Sequence, residues 1–109
     1  MERDFTYVSD LFEAIMRLMP LPPASPPVPF RIVNIGGGQP IGLMTFIETL
    51  ERALGKSAIR KMLPMQQGDV PRTYASPELL KQLTGFYPQM GLAQGIGAFI
   101  SWYKDYYRK

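Results

Sequence analysis

The chain has 109 residues, a net charge of +3, and neither cysteine nor histidine. That length bounds it to at most one domain, and the missing residue types exclude disulfides, thiolate nucleophiles, Ser-His-Asp triads and Cys- or His-ligated metals. The small positive excess sits mainly in Lys104, Arg108 and Lys109, which suits the carboxyl end of a helix and gives no clustered basic face for nucleic acid.

From the amino terminus, Phe5-Thr6-Tyr7-Val8 predicts a short strand. A helix is expected to begin near Ser9-Asp10, whose side chains can cap exposed amides. Leu11, Ile15, Leu18 and Met19 then recur at helical spacing until Pro20 stops the run. Residues Pro20 to Pro29 hold six prolines, the composition of a stiff surface connector. Phe30 to Ile35 predicts the best strand of the chain, apolar on both faces and so suited to cover on both sides. Pro40 fits the first turn of a helix. The stripe Leu43, Phe46, Ile47, Leu50 and Leu54 follows, with Gly55 as a left-handed cap. Ile59 to Leu63 predicts a further strand. Ser76-Pro77-Glu78 opens a helix carrying Leu79, Leu80 and Leu83, which Gly85 ends. A last helix sets Leu92, Ile96, Phe99, Tyr103 and Tyr106 on one face, with Trp102 beside them.

This order predicts a small α/β or α+β arrangement. The helices at hand do not evidently cover both faces of Phe30–Ile35, which points to a partner outside the chain. No apolar run approaches membrane-span length and no signal peptide is seen, so no membrane partner is expected and the cytoplasm is the simplest compartment.

Gly36-Gly37-Gly38-Gln39-Pro40-Ile41-Gly42 stands where a dinucleotide fingerprint would, after a strand and before a helix. Small residues there would let amides approach a pyrophosphate. Its last glycine comes one residue late, no acidic residue follows at Ser57–Arg60 to hold a ribose, and Pro40 removes an amide. A plain glycine-rich turn is the better reading.

Several short motifs, in order, carry a resemblance across the whole chain: Arg3-Asp4-Phe5-Thr6-Tyr7-Val8-Ser9-Asp10, Asn34-Ile35-Gly36, Leu63-Pro64-Met65-Gln66-Gln67-Gly68-Asp69-Val70-Pro71, Thr73-Tyr74-Ala75, Gly95-Ile96 and Trp102-Tyr103. Together they resemble the carboxyl-terminal third of the NAD-dependent nucleotide-sugar epimerases of the extended short-chain dehydrogenase/reductase family. The similarity is greatest to the bacterial UDP-glucuronate 4-epimerases. It implies the substrate-binding part of an extended Rossmann-type enzyme, in which residues 1–36 return to the nucleotide-binding sheet and 37–109 form the sugar-nucleotide lobe.

In that family an upstream Tyr-x-x-x-Lys pair and bound NAD oxidise the sugar transiently, then return the hydride to its other face. This chain has no Tyr-x-x-x-Lys pair, so the resemblance implies no catalytic residue here. NAD would be held mainly by an amino-terminal domain of the same protein, and the chain alone is expected to bind none and to be inactive. The expected ligand is a UDP-sugar, in a pathway of polysaccharide biosynthesis. Arg3 matches a family arginine that reaches the diphosphate, a task suited to a planar bidentate donor. A strand-end pair with Asp4 is its other reading. Asp69 matches an aspartate that accepts from ribose hydroxyls, or else closes a turn before Pro71. Gln66 stands where related UDP-galactose epimerases have a second phosphate-binding arginine, and Arg72 lies close enough in sequence to compensate. Tyr7 lines the pocket or belongs to the core. A same-family dehydratase or decarboxylase, and a non-catalytic interaction module, remain the competing readings. The apolar strand Phe30–Ile35, left without neighbours, predicts self-association.

Overall fold

The computed structural model describes residues 1–24 and 29–108. Its elements in chain order are β1 (Glu2–Arg3), α1 (Val8–Leu18), β2 (Ile41–Gly42), α2 (Leu43–Leu54), α3 (Glu78–Thr84) and α4 (Leu92–Tyr106). Among the described residues no helix is long and apolar enough to cross a membrane. The contacts divide the chain into two interleaved units, one built from Met1–Arg3, Pro40–Thr73 and the chain from Gly91 on, the other from Asp4–Gln39 and Tyr74–Met90.

In the first unit, β1 pairs antiparallel with β2, Glu2 opposite Gly42 and Arg3 opposite Ile41. Its other edge makes a parallel bridge from Glu2 to Arg72, with Glu2 N donating to Pro71 O at 2.8 Å and Thr73 N donating to Glu2 O at 3.2 Å. Helix α2 ends as the sequence predicts, with Gly55 left-handed at φ 70 and its amide on Glu51 O. This helix packs against α4. The buried positions of the pair are Thr49 on α2 and Gly95, Ile96 and Ile100 on α4.

In the second unit α1 packs against α3, around the fully buried Ala14 and Leu80. Asp10 Oδ2 accepts from the amides of Gln89 and Met90 at 3.2 and 3.0 Å. Ser76 and Gly85 bound α3 as expected: Ser76 Oγ accepts from Glu78 N, and Gly85 is left-handed. Asp4 holds the glycine turn. Its Oδ1 accepts from Gly37 N at 3.3 Å, and its Oδ2 from Gly38 N at 2.9 Å and Ala75 N at 3.2 Å.

Several expected elements differ. Phe5–Val8 is not a strand: the ladder stops at Arg3 and α1 already begins at Val8, with Tyr7 O accepting from the amides of Asp10 and Leu11. Ser9 and Asp10 therefore lie inside the helix, and α1 has no side-chain cap. Phe30–Ile35 and Ile59–Leu63 form no ladder. A strand exists only through hydrogen bonds to a neighbour, and the two-stranded sheet extends to neither segment. Phe30, Ile32 and Ile59 are largely exposed, and Arg60 is instead ion-paired with Glu51 of α2. Pro40 precedes β2 rather than opening α2. The predicted stripe on α4 is only partly inside. Of its positions only Ile96 is buried, Phe99, Tyr103 and Tyr106 are exposed, and the second buried isoleucine, Ile100, lies outside the predicted stripe. Of the proline-rich connector, residues 25–28 lie outside the described residues, as does Lys109.

Candidate functional site

All four residues singled out for ligand contact lie in the first unit. Arg3 ends β1, half-buried, with Nη1 donating to Glu2 O at 2.8 Å. Arg72 sits on the opposing segment as the bridge partner of Glu2, and its Nε lies 3.2 Å from Glu2 Oε2. Side chains alternate along a strand. Glu2 and Arg72 therefore share one face of the ladder, and Arg3 is directed to the other. The structure thus joins Arg72 to β1 but does not stack the two guanidinium groups on one side.

Gln66 and Asp69 are brought together by a tight turn, in which Asp69 N donates to Gln66 O at 3.2 Å. Gly68 occupies the third position of that turn at φ +94, a conformation that other residues adopt only with strain. Both side chains are exposed. The turn follows from the sequence Gln66-Gln67-Gly68-Asp69, where a glycine supplies the positive φ and an aspartate follows it. Its chemistry is that of a carboxylate acceptor and an amide at the two ends of one turn, on the segment that runs into the Arg72 bridge.

Two acidic residues to which the sequence assigns no ligand contact organise backbone, one in each unit. Glu2 is one: its backbone spans β1 and the 71–73 segment, and its carboxylate holds Arg72. Asp4 is the other. The sequence leaves open a pairing of Arg3 with Asp4, yet both carboxylate oxygens of Asp4 are taken up by three backbone amides. The available signal for it is the run Gly36-Gly37-Gly38, whose amides need acceptors when they are part-buried. Tyr7 is half-buried at the start of α1.

The same carboxylate decides the glycine turn. The amides of Gly37 and Gly38, which would face a pyrophosphate, already donate to Asp4. A Cβ on Gly36 would come within 2.8 Å of the Ala75 Cβ and 2.9 Å of Asp4 Oδ2, and one on Gly38, at φ +73, within 2.8 Å of Pro77. The glycines are thus required by close packing and backbone geometry, and the turn does not fit the dinucleotide phosphates. Among the described residues no group of three or more acidic side chains could hold a metal ion.

No protein-family model matches the chain. It is 52% identical, along its entire length, to a Rhizobium meliloti (strain 1021) protein named "Probable UDP-glucuronate 4-epimerase", of which it covers 36%. Among solved structures it resembles the UDP-glucuronic acid 4-epimerase of Bacillus cereus in complex with NAD, with a TM-score of 0.75 and 25% identity over 98% of this chain and 31% of that one. A point mutant of the same enzyme, in complex with UDP-4-deoxy-4-fluoro-glucuronic acid and NAD, matches with a TM-score of 0.79 and 26% identity over 95% of this chain and 32% of that one. The chain spans about a third of the length of the curated relatives it matches, and the part matched is their carboxyl-terminal part.

Proposed function

We propose that this chain, similar along its whole length to the carboxyl-terminal third of UDP-glucuronate 4-epimerases, is the nucleotide-sugar-binding part of an NAD-dependent enzyme that interconverts UDP-glucuronate and UDP-galacturonate. The observation that carries the reading is the likeness, at 26% identity and a TM-score of 0.79, to an epimerase in complex with a fluorinated UDP-sugar and NAD. In such an enzyme NAD takes up and returns a hydride. This chain's part is to hold the substrate while that happens. Arg3 binds the diphosphate through paired guanidinium donors, and Asp69, presented by the Gly68 turn, accepts from the ribose hydroxyls. Gln66 adds a neutral amide near the phosphates. Arg72 contributes charge only by exchanging its ion pair with Glu2 for the ligand. That pair is exposed, with side chains 59% and 46% accessible, and exchanging it costs little.

Residues 1–36 belong, on this reading, with the nucleotide-binding sheet, and 37–109 with the sugar-nucleotide lobe. The surface of α1 supports it. Val8, Phe12, Ile15, Met16 and Met19 recur at helical spacing and are all exposed. Such a face asks for a partner, and the amino-terminal NAD-binding part of the same protein supplies one. Apolar surfaces left open also favour association of copies of the isolated chain. The enzyme works in the cytoplasm, where its nucleotide-sugar product feeds polysaccharide synthesis.

The test is a titration of UDP and UDP-glucuronate into the purified chain, followed by amide chemical shifts. Saturable shifts at Arg3 and at Gly68-Asp69 are expected, with binding weakened about tenfold or more by Arg3→Ala, since a hydrogen bond to a charged group is worth about 1.5–3 kcal/mol. A folded chain with no shift at these amides would sink the assignment of the site.

A further inference from the structure

One residue holds both of the guanidinium groups singled out for the diphosphate. The backbone oxygen of Glu2 accepts from Arg3 Nη1 at 2.8 Å and from Thr73 N at 3.2 Å. The Glu2 carboxylate pairs with Arg72, whose Nε lies 3.2 Å from Oε2. All of these residues belong to the first unit. The amide and the carbonyl of Glu2 bond the chain on either side of Arg72, at Pro71 and Thr73. The backbone register therefore brings the carboxylate and the Arg72 guanidinium out together on one face of the ladder. A carboxylate satisfies the same planar donors that a phosphate does. Glu2 thus offers Arg72 what an anionic ligand would offer it.

We infer that Glu2 sets the affinity of the nucleotide site: its carboxylate is an internal stand-in for the ligand's phosphate, which Arg72 leaves when a nucleoside diphosphate arrives. The inference rests on the site proposed above and adds to it a residue that opposes binding. Three observations select this role over plain support of the strand. The ladder does not need the carboxylate, because both hydrogen bonds that join β1 to residues 71–73 come from the Glu2 backbone. The pair is open to solvent on both sides, so an incoming anion reaches Arg72 without unfolding anything, and one exposed partner replaces another at little cost. The pair is also neutral as a whole. While it holds, Arg72 adds no net positive charge to the segment that follows the Gln66–Asp69 turn. Without the Glu2 carboxylate the same guanidinium would attract phosphate from a distance.

The test is a titration of UDP and, separately, of uridine into the purified chain and into Glu2→Gln at low salt, followed at the amides of Arg3, Gly68 and Asp69. Glutamine keeps the length and shape of the side chain and removes its charge. UDP should bind Glu2→Gln about two- to fivefold more tightly, the span of an exposed ion pair. Uridine, which carries no phosphate, should bind both chains alike. The gain should disappear when Arg72→Ala is added, and also at about 1 M salt, where the screening length is about 3 Å. A residue that merely supports the strand would, when changed, weaken both ligands and could not tighten UDP alone. The Thr73 amide reports whether the ladder persists. Should Glu2→Gln lose it, the Arg72 Nε–H resonance of the unaltered chain carries the test, and it should move with the same midpoint as the Arg3 amide. Equal or weaker UDP binding by a Glu2→Gln chain that keeps its ladder overturns the inference alone. So does a gain that survives Arg72→Ala, or an Arg72 resonance that stays fixed while Arg3 saturates. The absence of any UDP-induced shift at Arg3, Gly68 and Asp69 in both chains overturns the site itself, and the inference with it.

Discussion

Asp4 shows how much a single carboxylate can organise. It accepts from three amides that lie 33, 34 and 71 positions away in sequence. It thereby ties the glycine turn to the segment around Ala75, within one unit. Removing it leaves part-buried amides without their acceptor, at about 1–3 kcal/mol. Gly38 is the steric counterpart: a side chain there would need φ +73 and would meet the Pro77 ring at 2.8 Å. Strain of that kind costs about 1–3 kcal/mol. Asp4→Ala and Gly38→Ala should each lower the free energy of unfolding in urea by an amount in that range, read as a lower midpoint at unchanged slope. Because both act through the same turn, the double variant should fall short of the sum. Equality with the wild-type midpoint for Gly38→Ala would mean that the turn opens to accommodate a side chain.

At the scale of elements, the short stretch that follows α2, from Ala58 to Arg60, is tied to that helix by one residue. Glu51 Oε1 is ion-paired with Arg60, and Glu51 Oε2 accepts from Ala58 N at 3.1 Å. The Arg60 hydrogen bond first, and then the Ala58 amide, hold the Glu51 carboxyl below the usual glutamate range. A carboxylate lowered on folding contributes order above its unfolded pKa and loses it as the pH falls through the folded value. The Ala58 amide should therefore exchange slowly at neutral pH and faster once the pH drops below the ordinary carboxylate range, relative to the intrinsic rate. Glu51→Gln should show the fast behaviour at neutral pH. Protection of Ala58 that does not change with pH would refute the role of the carboxylate. The neighbouring stretch Ile59–Leu63 reads as a strand from its residues, but a strand is a relation between two segments. Here Ile59, Met62 and Leu63 remain exposed because no edge of the two-stranded sheet reaches them.

For the whole molecule, the sequence holds no Tyr-x-x-x-Lys pair, and the amides of its glycine turn are committed to Asp4. The purified chain, supplied with NAD and UDP-glucuronate, should therefore produce no UDP-galacturonate. Activity should appear only in a protein that also carries the upstream catalytic part. Turnover by the 109 residues alone, scaling with their concentration and lost in Arg3→Ala, would require a proton-transfer group elsewhere in this chain.

The helices were legible in the sequence because their signals are local. Gly55 and Gly85 end α2 and α3 in the left-handed conformation that only glycine takes easily, and the motif Gln66–Asp69 makes its turn for the same reason. The motifs also carried the resemblance that the 52% identical relative bears out. What required the tertiary structure was every feature that depends on a distant neighbour. Which segments pair into a sheet was not written in Phe30–Ile35 but in the two residues of β1 meeting β2 and Arg72. That Asp4 fills the glycine amides, that Arg72 answers to Glu2, and that Ile96 alone of the α4 stripe is buried all depend on contacts between segments far apart in the chain. Periodicity marks an apolar face, but only packing decides whether anything lies against it.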